Sequence, residues 1–260
     1  MLLFFVVSFF ASIVGAICGI GGGVIIKPVL DMLQLETVST ISFLSGCTLL
    51  SMSCYSVVKI ISAGEHAVSM KTGTPLAIGA AAGGILGKQL FSAIKAVFED
   101  QNRVGVVQAG CLALTTLGTL IYTLFKDNIK TKTVVSTALC LLIGLVLGIF
   151  SSFLGIGGGP INLVVLFYFF SMDTKTAAAN SLYIILFSQS ASLIMTVATK
   201  TVPDFLWPTL LLMVAGGISG GAAGRALNKH MDNKAVDKLF IVLTTAIIFI
   251  SIFNAWQYMQ

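Results

Sequence analysis

Apolar and polar positions in this chain alternate on the scale of whole helices. Apolar stretches near 37–62, 72–94, 104–125, 176–199, 206–226 and 236–256 are separated by short polar clusters. At 1.5 Å per residue, each is long enough to cross about 30 Å of hydrocarbon. Two further segments, 1–33 and 133–172, run without a charge cluster and are broken internally by glycines. The second holds 40 residues, which as one straight helix would reach about 60 Å, twice the hydrocarbon thickness. Neither segment reads as a single ordinary span.

The two breaks are nearly identical. Gly19-Ile20-Gly21-Gly22-Gly23 recurs as Gly155-Ile156-Gly157-Gly158-Gly159, 136 positions on. Further along, Gly83-Gly84-Ile85-Leu86-Gly87-Lys88 lines up with Gly220-Gly221-Ala222-Ala223-Gly224-Arg225, 137 positions on. Two matches in the same order at nearly the same offset mark a duplication, with halves 1–130 and 131–260. Met1 to Ala16 has the apolar look of a secretion signal but no basic start, and its glycine motif recurs in mid-chain, so it is read as part of the repeat.

Positive charges decide how the broken segments are threaded, because cytoplasmic loops carry the excess of Lys and Arg. If each broken segment crosses once, the loop charges split 8 to 6. If each enters, turns at its glycines and returns, they split 10 to 4, with Lys59, Lys71, Lys126, Lys130, Lys132, Lys175, Arg225, Lys229, Lys234 and Lys238 on one side. The expected fold is therefore an all-α polytopic membrane protein of two inverted repeats. Each repeat has a glycine-broken re-entrant helix pair followed by three transmembrane helices, and both termini lie on the non-cytoplasmic side.

Non-helical backbone at membrane depth must be covered by protein or by a wet cavity, and broken helices at matching places in two repeats mark a transporter's binding site near the midplane. Glycine lets a ligand approach the backbone closely. Helices restarting at Val24 and Pro160 would aim free N–H groups and a positive dipole end at the guest, and proline suits the first turn. An anion is the expected ligand. Candidate groups are Gly21, Gly22, Gly23, Gly157, Gly158 and Gly159, with Asn162, Asn180, Ser181 and Gln189 in the second half and Ser45 and Ser51 in the first. Small polar residues in membrane helices also serve close packing, the competing reading for each serine. Lys27 either draws an anion inward or extends to an interface. Lys88 and Arg225 read as headgroup anchors, and the Gly-x-x-x-Gly runs before them as helix contacts between repeats.

Composition closes off other classes. Hydrophobic residues make up 57% of the chain and charged residues 10%, against about 25% charged in soluble domains. The net charge of +5 is spread over many loops, which argues against a nucleic-acid surface. The five cysteines lie in apolar segments without a C-x-x-C pair, and His66 and His230 are far apart, so no metal site, disulfide framework or cofactor is expected. No dinucleotide or P-loop motif survives inspection of the glycine runs. No nucleophile–base pair points to an enzyme. The acidic residues Asp31, Glu36, Glu65 and Asp173 fall at segment ends, which predicts a neutral interior and movement without coupling through a carboxylate.

The two GIGGG elements with Pro28 after the first, the Ala177-Ala178-Ala179-Asn180-Ser181-Leu182 stretch and the paired G-x-x-x-G-[KR] helices resemble the TauE/SafE family of sulfite exporters, also called 4-toluene sulfonate uptake permeases, over essentially the whole chain. The resemblance implies a permease for sulfite, sulfonates or related organosulfur anions in the cell membrane. It points to Gly19, Gly21, Gly22, Gly23, Gly155, Gly157, Gly158, Gly159, Asn180 and Ser181. Ser39 to Ser45 departs from the Asn180-Ser181 pattern. An anion channel, or a membrane assembly partner that moves nothing, remains the alternative. One chain is long enough to house a complete pathway, and a homo-oligomer stays open.

Overall fold

The computed structural model describes residues 1–63, 68, 70–98 and 101–260; Glu65 and His66 lie outside them. The described residues form ten α-helices: α1 (Leu2–Cys18), α2 (Gly23–Leu33), α3 (Val38–Ser62), α4 (Met70–Val97), α5 (Gln101–Phe125), α6 (Thr137–Leu154), α7 (Gly159–Phe170), α8 (Thr174–Ala198), α9 (Trp207–His230) and α10 (Asn233–Gln257). Among them, α3, α4, α5, α6, α8, α9 and α10 are long and apolar enough to cross a membrane. Their outward faces carry exposed Leu114, Ile194, Leu211, Val242 and Phe249, a covering suited to lipid rather than water. The chain is a multi-pass integral membrane protein.

Local signals start and stop the helices where the sequence places them. Thr37 caps α3 by accepting from the Thr40 N–H, and Asp173 caps α8 by accepting from Lys175 and Thr176; the two caps are 136 positions apart. Each cap satisfies backbone donors that the first turn leaves unpaired. The short helices α2 and α7 both end on a left-handed residue, Gln34 (φ 48) and Ser171 (φ 51). The strap before α6 then returns to the end of α7, with the Lys132 N–H donating to the Tyr168 carbonyl at 2.7 Å and Val134 to Phe169 at 2.9 Å.

Helices before and after residue 130, the boundary expected between halves, interleave. α4 packs along α6 and α9 along α1; α4 also meets α8 and α9 meets α3; α2 touches α10 and α7 touches α5. Every one of these contacts crosses between halves and has a counterpart with the roles exchanged, while α3 lies on α8 and α5 on α10. The tightest contacts run through the predicted glycine faces. A Cβ on Gly79, Gly83 or Gly87 of α4 would overlap backbone of α6, and one on Gly144 or Gly148 of α6 would overlap backbone of α4. On α9, Gly216, Gly220 and Gly224 meet α1 in the same way. Lipid gives helices no hydrophobic reason to associate, so close backbone packing takes over that task.

Gly118 on α5 has open space where a Cβ would be. Gly83→Ala is therefore expected to destabilise the purified protein by about 1–3 kcal/mol through overpacking, whereas Gly118→Ala should be neutral or stabilise by up to about 1 kcal/mol. Thermal unfolding in detergent checks the contrast, and equal effects at the two positions would refute the packing account.

Candidate functional site

α1 stops at Gly19 (φ 73) and α6 at Gly155 (φ 66), left-handed conformations that favour glycine. The carbonyls left over at these ends find side-chain amides from distant helices. Asn228 of α9 donates to the Ile17 carbonyl at 2.7 Å, and Gln108 of α5 donates to the Phe153 carbonyl at 2.6 Å. Ile17 and Phe153 are again 136 positions apart. The following turns cross each other. A Cβ on Gly23 would come within 3.0 Å of the Ile156 carbonyl, and one on Gly159 within 2.8 Å of Val24. Leu49 of α3 and Ile185 of α8 both pack on Gly21 and Gly157. Residues 15–24 and 151–160 are all buried. The first turns of α2 and α7 thus face the opposite break.

The predicted polar residues fall into separate groups. Beside the second break, the Asn162 amide reaches the Ser181 hydroxyl at 3.5 Å, while its Oδ1 has no hydrogen-bond partner and lies where a Cβ on Gly158 would sit. Asn180 is fully buried on the same helix as Ser181 and donates to the Thr176 carbonyl at 2.8 Å. Ser45 is the position equivalent to Ser181, and its buried hydroxyl has no partner among the described residues. Gln189 belongs elsewhere: its amide donates to Ser151 at 3.2 Å, and Ser151 lies 3.1 Å from Ser188. Ser51 donates to the Cys47 carbonyl of its own helix at 2.9 Å, the i−4 bond that helical serines commonly make.

The largest cavity described, about 420 Å³, lies beside the end of α1 and is lined by Lys175, Arg225, Lys229, Asn228, Ala16 and Ala178, among others. It abuts the first break, since a Cβ on Gly19 would overlap Ala178. Sequence reasoning missed this cavity. It took Arg225 for a headgroup anchor, and alanines carry no polar signal; the recurrent basic residue after each G-x-x-x-G run was the available clue.

Comparison with known proteins agrees with this architecture. The family description "Sulfite exporter TauE/SafE" matches residues 4–251. The chain belongs to the TauE/SafE family. It is 25% identical over 247 residues to a protein of Bacillus subtilis (strain 168) named "Probable membrane transporter protein YunE", covering 89% of each chain. No solved structure matches. This TauE/SafE protein is thus a membrane transporter of permease type.

One expectation about this TauE/SafE chain fails. Its interior is not neutral: Lys27 and Asp31, one turn apart on α2, form a buried ion pair at 2.5 Å, with side chains only 4% and 6% exposed. Lys27 neither reaches an interface nor stands as a lone charge awaiting an anion. The i, i+4 spacing on one helix face makes the pair, and burial enforces it, because an unpaired charge there would be far costlier. Nearby, the Asn254 amide of α10 donates to the Pro28 carbonyl at 2.8 Å. Asp31→Leu, which strands the lysine, is expected to cost about 3–5 kcal/mol, and the double change Lys27→Met with Asp31→Leu to recover most of it. Denaturation of the three proteins decides, and a double variant no better than the single would overturn this account.

Proposed function

We propose that this transporter moves small sulfur-containing oxyanions, such as sulfite or a sulfonate, through a pathway between two inverted repeats, 1–130 and 131–260. The observation that carries the reading is the cavity framed by Lys175, Arg225 and Lys229 at the foot of the first glycine break. All three basic residues sit at helix ends, Lys175 at the start of α8 and Arg225 and Lys229 in the last turns of α9, on the side that the charge distribution assigns to the cytoplasm. Cationic walls around a low-dielectric cleft concentrate anions and speed their capture.

The hairpin threading is supported by length. Helices α2 and α7, with 11 and 12 residues, extend about 16–18 Å and fall short of the hydrocarbon thickness. The strap paired to the end of α7 brings both ends of the second broken segment to one level. Beyond the cavity, Ser45, Asn162, Asn180 and Ser181 offer neutral donors around the crossing, beside the backbone of Gly21–Gly23 and Gly157–Gly159. Tight packing of the two breaks favours a carrier over an anion channel, which needs a continuous path.

Thermal stabilisation of the purified protein tests the substrate class, because a ligand that binds only the folded state stabilises it by about 2.7 kcal/mol at a hundredfold excess over Kd. Sulfite, thiosulfate and sulfonates are expected to raise the melting temperature more than chloride or neutral solutes, and Arg225→Gln with Lys229→Gln to abolish most of the gain. Stabilisation by neutral solutes alone would refute the anion reading.

A further inference from the structure

The duplication gives every wall of the open cavity a counterpart. Ser152 occupies the position of Ala16, Ser192 that of Ser56, and Lys88 that of Arg225, at offsets of 136 or 137. These counterparts also converge: Ser152, Ser192 and Lys88 line one crevice beside Gly155, at the second break. Its volume is only about 20 Å³, against about 420 Å³ for the cavity around Arg225. Space for roughly one water remains.

The crevice is chemically built for a ligand that its present width excludes. Ser152 is 6% exposed and its hydroxyl has no hydrogen-bond partner, and the hydroxyl of Ser42 across the crevice has none either. Buried hydroxyls without partners are unfavourable, so a state that supplies acceptors to them has something to gain. Lys88 is the cation of the group, its amine 4.9 Å from the centre of the Phe91 ring. It also borders a shallow depression of about 180 Å³ with Ser92 and Thr199. It therefore stands between the crevice and the exterior.

The geometry points to a second anion site, formed by Lys88, Ser42 and Ser152, that is closed in this conformation and opens as the Arg225 cavity closes. The inference rests on the transport reading above and adds the opposite end of the pathway. Both halves have the same cross-packed helices, with α4 on α6 and α9 on α1, so exchanging their conformations yields a state with the openings reversed. A conformational exchange between related halves around a shared centre is how two-repeat transporters alternate access, and an anion shifts the balance by binding one state better. The two ends differ in chemistry. Where the open side has Ala16 and Ala178, the closed side has Ser152 and Ser42, which suits a narrower site holding the anion by hydroxyl donors and a single cation.

Ser56 and Ser192 allow a conservative test, since both are buried, equivalently placed and replaceable by cysteine of similar size. Full-length Ser56→Cys and Ser192→Cys, in vesicles of defined orientation, are labelled with a membrane-impermeant maleimide and read peptide by peptide, so that the native cysteines are counted separately. Without anion, Ser56→Cys is expected to label at least tenfold faster than Ser192→Cys, each from its own side. Methanesulfonate should change the two rates in opposite directions. Lys88→Gln in the native background should retain methanesulfonate-induced thermal stabilisation through the Arg225 cavity while lowering methanesulfonate transport at least tenfold. Simultaneous labelling of both cysteines, or undiminished transport by Lys88→Gln, would overturn the inference. If no sulfur oxyanion stabilises or crosses with the wild-type protein, the substrate reading fails, and the ratio of labelling rates still judges the alternation separately.

Discussion

A peptide group that leaves a helix inside hydrocarbon must find its partner in the protein, and the architecture is organised around that constraint. Each glycine break is such an interruption, and neither is covered by its own neighbours in sequence alone. The break after α1 is covered by α8, α3 and the opposing break, and its last carbonyls are reached by Asn228 from α9. The break after α6 is covered by α3, α8 and the first break, with Gln108 of α5 in the capping role. Mutual coverage forces the halves to interleave, and interleaving requires helices to approach closely. The glycine faces of α4 and α9 meet that requirement.

Mutual coverage also limits what the breaks can do. The first turns of α2 and α7 point at protein, so the crossing of the two breaks is a packed junction with a few neutral donors at its edge. Charge is handled on either side of it. Lys175, Arg225 and Lys229 frame the large cavity, and Lys88 borders the narrow crevice beside Gly155, while Lys27 is neutralised within α2 by Asp31. On the proposed reading, a small anion would meet cations at the ends and hydroxyls or amides in between, an order that attracts it without holding it at the centre.

Stretches that match at offsets of 136 or 137 occupy paired places in the fold, and the differences between them set its two ends apart. Thr37 and Asp173 cap equivalent helices, and Leu49 and Ile185 pack on equivalent glycines. At the vestibules the halves differ, with alanines on one side and serines on the other. Such differences let two related conformations have unequal energies, which a transporter needs if one state is to predominate at rest.

Much of this was already written in the linear order of residues. Hydropathy and charge spacing are local properties, so the membrane class, the approximate helix boundaries and the two glycine breaks follow from the chain directly; the G-x-x-x-G contact faces are of the same kind. Three things came only from the tertiary structure: the plugging of each break by the other, the burial of Lys27 with Asp31 against α10, and the basic cavity at Arg225. Each depends on which helix faces meet across more than a hundred residues of chain. Packing makes that choice among faces that look alike in sequence, because small residues permit close approach to any partner and only the assembled bundle selects one.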